Sequence, residues 1–329
     1  MRICLYSARR YDRDAFQAAN AAHDHTLVYV ADALTLDSVA ASHGCDAACV
    51  FVNDRVDAPV LAALKAQGIG LLCTRSTGYN QIDVAAARRL GLQLGRAANY
   101  SPYSVAEFAV GLVQAVNRHI ARASARTRDG NFELDGLIGS DLHGKTVGVV
   151  GTGRIGRIFA GIMAGFGCEL LGYDPFENDA FRAIGRYTTL ADLLARSDVV
   201  SLHCPMTPEN RHLIDAARLA GIKRGALLVN TSRGGLVDSE AAIVALKDGR
   251  LGGLGMDVYE QEAGLFFQDL SATVITDDVI ERLLSFPNVI VTGHQAFFTR
   301  EALAEIAAAT LANATAYARG EPVPYPVPD

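Results

Sequence analysis

Nowhere does this 329-residue chain carry an apolar stretch long enough to cross a bilayer, so an integral helical membrane protein is excluded. The N-terminal residues Met1 to Arg10 lack the long apolar core of a secretory signal, and the expected compartment is the cytoplasm. Basic residues form no run and the formal net charge is -6, which argues against nucleic acid or an anionic membrane as the main partner. Six cysteines are scattered, and Cys45 with Cys49 has no second pair to match it; the expectation is buried free thiols and no metal site. Nor does any segment repeat at a fixed period. What remains, 50% hydrophobic and 20% charged residues, is ordinary for a soluble globular protein with room for two cores.

One stretch organises the rest. Val147 to Val150 reads as a buried strand that runs into Gly151-x-Gly153-x-x-Gly156 and then into a helical segment, Arg157 to Ala164. In a dinucleotide turn the first glycine bends tightly, the second lets backbone approach a pyrophosphate, and the third lets helix and strand pack. The helix N-terminus then offers unpaired N–H groups to phosphate. The next apolar run, Glu169 to Asp174, ends in an acid eighteen residues after Gly156, where a carboxylate can accept the ribose hydroxyls of an adenosine and repel a 2′-phosphate. NAD is therefore expected over NADP.

Upstream, strand-like runs at 3–7, 27–30, 47–52, 71–74 and near Leu92 alternate with helical segments at 58–65 and 83–90, the pattern of a parallel α/β sheet without a glycine fingerprint. A long helix opens near Tyr100, and Val105, Phe108, Ala109, Leu112, Val113, Val116 and Ile120 follow helical spacing. Further strands are expected at 198–204, 226–231, 254–258 and 289–292. Residues 264–287 interrupt the alternation, 301–318 reads as a terminal helix, and the Pro-rich tail after Gly320 reads as extended and polyproline-like.

Catalytic groups of a doubly wound sheet belong in loops after its strands. Three such loops are charged: Val229 to Gly235 with Arg233, Asp257 to Glu262 with two glutamates, and Thr292 to Ala296 with His294. Reduction of a 2-oxo acid needs these types. A planar guanidinium holds a carboxylate bidentately, a histidine delivers a proton to the forming alkoxide, and a carboxylate beside a histidine orients the ring and favours its charged form. Spacing alone does not choose between Glu260 and Glu262.

The motifs Gly151 to Gly156, Ser201 to Asn210, Val229 to Gly235, Gly255 to Glu262 and Gly293 to Phe298 together resemble the D-isomer-specific 2-hydroxyacid dehydrogenases, and within them the fermentative D-lactate type, over the full length. The resemblance implies two α/β domains of Rossmann-like or flavodoxin-like parallel sheet with a cleft between them: a discontinuous substrate domain, residues 1–98 plus 299–329, and an NAD-binding domain, 99–298. It implies reversible hydride transfer between NADH and pyruvate giving D-lactate, with Arg233 as carboxylate anchor and His294 as acid/base partnered by Glu262. Thr77, Gly78, Tyr100 and Phe298 are implied as substrate contacts. Gly151, Gly153, Arg154, Ile155, Gly156, Asp174, Cys204, Pro205, Asn210, Thr231, Ser232 and Asp257 are implied as cofactor contacts. A homodimer or homotetramer is implied, with the long helix as its interface. Bulkier 2-oxo acids such as phenylpyruvate, or a non-catalytic dinucleotide sensor, are the alternatives.

Overall fold

Short apolar runs separated by amphipathic stretches fold here as strand and helix in alternation, and each of two compact units is built on a parallel sheet. The computed structural model describes residues 1–98 and 100–328. The units are Met1–Ser101 with Phe298–Asp329, and Pro102–Phe297.

The first unit pairs β1 (Arg2–Leu5), β2 (Thr26–Tyr29), β3 (Ala47–Val50), β4 (Leu71–Thr74) and β5 (Gln93–Arg96) in the order β2-β1-β3-β4-β5. That is the flavodoxin-like winding. β3 and β4 are buried at every position because helices cover both faces of the sheet. Asp57 and Asp83 cap the helices Ala58–Ala66 and Val84–Arg89 by accepting from backbone N–H groups of their first turns. The terminal helix Arg300–Ala318 belongs to this unit: Ala307, Leu311 and Ala314 pack with Ile3, Leu5 and Phe16.

The tail departs from its sequence reading. It is not a free polyproline segment: Arg96 N–H donates to Tyr325, Val327 N–H donates to Leu94, and the Val327 side chain is buried. Prolines tolerate this because an edge strand needs only alternate N–H groups for pairing.

The second unit orders β6 (Thr146–Val150), β7 (Glu169–Tyr173), β8 (Arg186–Tyr187), β9 (Val199–Leu202), β10 (Ala226–Asn230), β11 (Leu251–Met256) and β12 (Val289–Val291) as β12-β11-β10-β9-β6-β7-β8, all parallel. Consecutive strands leave β6 on one side and return beside it on the other, so the switch point lies between β6 and β9, where such sheets bind ligands. The long helix runs Pro102–Asn117 and does not continue through Ile120. His119 takes left-handed backbone with φ 50°, and a second helix, Ile120–Arg128, follows with no buried residue. One face of the first helix, including Ala109, Leu112, Val113 and Val116, is buried within its own unit. The interrupting segment 264–287 contains the helix Asp278–Leu284, capped by Asp277. Four of the six cysteines are buried and all are free thiols.

Candidate active site

The glycine turn at the end of β6 makes different demands at each position. Gly151 has φ +92°, and a Cβ there would meet the Cys204 backbone N at 2.4 Å. At Gly156 a Cβ would meet the Gly151 carbonyl at 2.0 Å, so helix and strand close only on glycine. Gly153 is different: a Cβ there meets no atom within 4 Å, so no protein neighbour requires a glycine. It caps the helix Arg154–Gly165 with no side-chain hydrogen bond. Arg154 is exposed and Ile155 packs against the core below.

Asp174 follows β7. Its Oδ2 accepts from the Thr152 backbone N–H at 2.7 Å and its Oδ1 from Phe176 N–H at 2.9 Å. Thr152 is itself fixed by Tyr187, whose hydroxyl lies 2.6 Å from its Oγ1. The carboxylate is thus oriented, while Oδ1 keeps an open acceptor site. At the end of β10, Thr231 Oγ1 is buried with no hydrogen-bond partner among the described residues. An oriented acid, an open glycine shelf and an orphaned hydroxyl, all at strand ends beside the switch point, fit a dinucleotide.

Cys204 and Pro205 border the turn. Burial pushes the Cys204 thiol up to about 11, so it stays protonated at neutral pH, and its carbonyl accepts from Ser232 Oγ at 2.6 Å. The Asn210 amide is engaged within its own loop, accepting from Thr207 N–H and donating to the Pro205 carbonyl.

The catalytic candidates of this unit come from three adjacent strands. Arg233 follows β10 in a turn clipped by Asn230, whose Nδ2 donates to the Arg233 carbonyl and whose Oδ1 accepts from Ser232 N–H. The guanidinium is half-buried and donates through Nη1 to the Ser232 carbonyl. After β11, Asp257 is fully buried and accepts from Thr292 Oγ1 at 2.6 Å and from Gln295 and Ala296 N–H at 2.8 Å. Burial pushes its carboxyl above the usual range, opposed by those hydrogen bonds.

His294, after β12, has φ 55°, a left-handed conformation that is uncommon outside glycine, costs of order 1–2 kcal/mol and recurs at functional sites. Its N–H donates to the Asp257 carbonyl at 2.7 Å, which holds it there. Its ring Nδ1 faces Glu262 Oε1 at 3.1 Å and lies beside Phe267. Among the described residues, Nε2 has no partner, so it is the nitrogen left for chemistry.

Geometry separates the two glutamates. Glu260 pairs with Arg211 and with His212 Nε2, and so is turned away from His294. Other histidines have local tasks: His203 bonds Ser201 and packs on Phe159, and burial lowers its pKa to about 3, so it stays neutral.

Thr77, Gly78, Tyr100 and Phe298 belong to the first unit. Neither Thr77 nor Gly78 has an acceptor for its backbone N–H among the described residues. Tyr100 is half-buried, and Phe298 packs edge-on against Tyr11 with ring centroids 4.7 Å apart. Sequence reading missed Thr152, Asn230, Thr292 and Phe267. The first three are hydrogen-bonding residues in or beside loop motifs already singled out, but their partners are not visible from spacing.

Among the described residues no group of three or more His, Cys, Asp or Glu could hold a metal ion, and no helix is long and apolar enough to cross a membrane. Residues 110–296 match the family described as D-isomer specific 2-hydroxyacid dehydrogenase, NAD binding domain. The chain is 52% identical over 316 residues to 2-hydroxyacid dehydrogenase A of Aspergillus oryzae, covering 95% of this chain and 91% of that one. To the D-lactate dehydrogenase of Escherichia coli it is 46% identical over 325 residues, covering 98% and 99%. The solved structure of the pyruvate reductase of Chlamydomonas reinhardtii superposes with a TM-score of 0.93 at 41% identity, covering 98% of both chains.

Proposed function

The chain belongs to the D-isomer-specific 2-hydroxyacid dehydrogenases and is an NAD-dependent oxidoreductase; from that premise we propose that its reaction is the reversible reduction of pyruvate to D-lactate. The observation that carries this reading is the His294–Glu262 pair, with Nε2 open, in which His294 follows the strand next but one to that preceding Arg233. A dinucleotide held at the glycine turn and Asp174 would supply the hydride. The chain's own residues do the rest. Arg233 turns from the Ser232 carbonyl to hold the carboxylate and polarise the neighbouring carbonyl. As the C=O π bond opens, its oxygen takes a proton from His294 Nε2, and Glu262 stabilises the charged ring before transfer and keeps its orientation after it. Asp257 holds the His294 backbone and the 295–296 turn. In the first unit, the N–H groups of Thr77 and Gly78, without acceptors among the described residues, are suited to a carboxylate.

The cytoplasm, where buried thiols stay reduced, is the setting we assign. Self-association is part of the reading. Phe132, Leu134 and Ile138, at 74%, 81% and 90% exposure, follow a helix with no buried residue, and a second copy is the partner that would cover them.

One preparation of purified protein tests both statements. NADH absorbance falls on adding pyruvate, the product is D-lactate by chiral analysis, and the mass in solution is a multiple of one chain. No turnover with any small 2-oxo acid would leave the dinucleotide-sensor alternative standing, L-lactate would refute the stereochemical assignment, and a monomer would remove the self-association. A panel that turns over phenylpyruvate faster than pyruvate would move the substrate to bulkier acids.

Cofactor choice gives a second expected result. Asp174→Ala lowers the preference for NADH over NADPH by about tenfold or more, because a 2′-phosphate no longer meets a like charge. Thr152 and Phe176 N–H groups lose their acceptor in that variant, so Asp174→Asn, which keeps an acceptor oxygen, serves as the folding control. An unchanged NADH/NADPH ratio of binding constants in both would show that another group sets the choice.

A further inference from the structure

Two peptide carbonyls in the 76–78 loop are occupied while the N–H groups beside them are not. Ser76 Oγ donates to the Gly78 carbonyl at 2.6 Å, in a chain that continues through Thr74 to Gln81. The Thr77 carbonyl instead accepts from Arg96 Nη1 at 3.2 Å. Arg96 ends β5, lies over the Tyr79 ring, and is held by its backbone: its N–H donates to Tyr325 and its carbonyl accepts from Asn313 Nδ2. No carboxylate forms an ion pair with it among the described residues, so its charge is not neutralised by a neighbour.

The Thr77 carbonyl and the Gly78 N–H are the two ends of one peptide group. A cation donating to the oxygen withdraws electron density across the C–N bond, leaving the N–H a stronger donor. We propose that Arg96 is a positioning residue for the substrate carboxylate: it fixes the Thr77–Gly78 peptide and, by polarising it, strengthens the Gly78 N–H toward the bound anion. The inference rests on the reading above in which that loop holds the carboxylate. It adds a charged residue, placed by the edge strand of the first unit, to the determinants of selectivity for an acid over a neutral 2-oxo compound. Thr77 Oγ1, donating to the Ala97 carbonyl at 3.1 Å, keeps the loop against the same strand end.

The test compares pyruvate with methyl pyruvate, which lacks the charge, in wild type, Arg96→Lys and Arg96→Met. Wild type prefers pyruvate. In Arg96→Met the KM for pyruvate rises about tenfold with kcat changed less than about threefold, the size expected for weakening one charge-assisted contact. The preference over the ester shrinks by the same factor, and oxamate binding to the NADH-saturated enzyme weakens in parallel by calorimetry. Arg96→Lys, which keeps a cation at the carbonyl, recovers most of the preference. Melting temperatures are read alongside, and Arg96→Gln replaces Arg96→Met if the latter does not fold. Full retention of the preference in Arg96→Met, or an equal loss in Arg96→Lys, overturns the role of Arg96 and leaves the loop reading intact. A wild type indifferent to the carboxylate overturns the loop reading and the inference together.

Discussion

Replacing His294 with glutamine lowers kcat for pyruvate reduction by about 10² to 10⁴-fold, the usual worth of a general acid, and leaves the NADH dissociation constant within about twofold. Glutamine can still hydrogen-bond to Glu262 but has no group that gives up a proton at neutral pH. The glycine turn and Asp174 that suit the nucleotide lie on β6 and β7, on the far side of the switch point from β12, so their geometry is untouched. The left-handed backbone at His294 matters to the design of the experiment. Asparagine adopts that region more readily than most residues, so His294→Asn separates loss of the proton donor from strain introduced by the substitution. A fall of less than about tenfold in kcat in both variants, with melting temperatures unchanged, would remove His294 from the chemistry.

Arg233→Lys lowers kcat/KM for pyruvate by about 10² to 10³-fold. A lysine keeps the charge but presents a point donor where the planar fork makes two parallel hydrogen bonds. Losing one charge-assisted bond to a desolvated anion costs about 2–4 kcal/mol, and the missing polarisation of the 2-oxo group lowers kcat as well as raising KM. The turn survives the substitution because Asn230 grips backbone atoms of Ser232 and Arg233, leaving the side chain out of the fold's hydrogen bonding apart from its contact with the Ser232 carbonyl. Pyruvate kinetics unchanged in both parameters would refute the anchor.

Several features were open to sequence reading because their causes are local. Asp83 caps its helix three residues on, as its position before an apolar run implies, and the glycines of 151–156 sit where strand, turn and helix meet. Strand alternation in the first hundred residues likewise follows from short apolar runs. The helix break at His119 was hidden, since the apolar spacing continues to Ile120 and only the backbone at one residue departs. The tail was hidden for a different reason: its prolines suggest extended chain, but nothing near them in sequence names β5 as a partner more than two hundred residues away.

The choice between Glu260 and Glu262 shows where that boundary falls. Sequence by itself determined the α/β alternation, the nucleotide turn, the acid after β7 and the delivery of Arg233, a glutamate and His294 to the ends of neighbouring strands, because backbone preference and side-chain periodicity act over a few residues. Only the tertiary structure decided that Glu262 faces His294 while Glu260 is held by Arg211 and His212, that Thr152 orients Asp174, and that Arg96 reaches the Thr77 carbonyl. These outcomes depend on distances of a few ångströms between segments far apart along the chain, and those distances exist only once the sheets have wound.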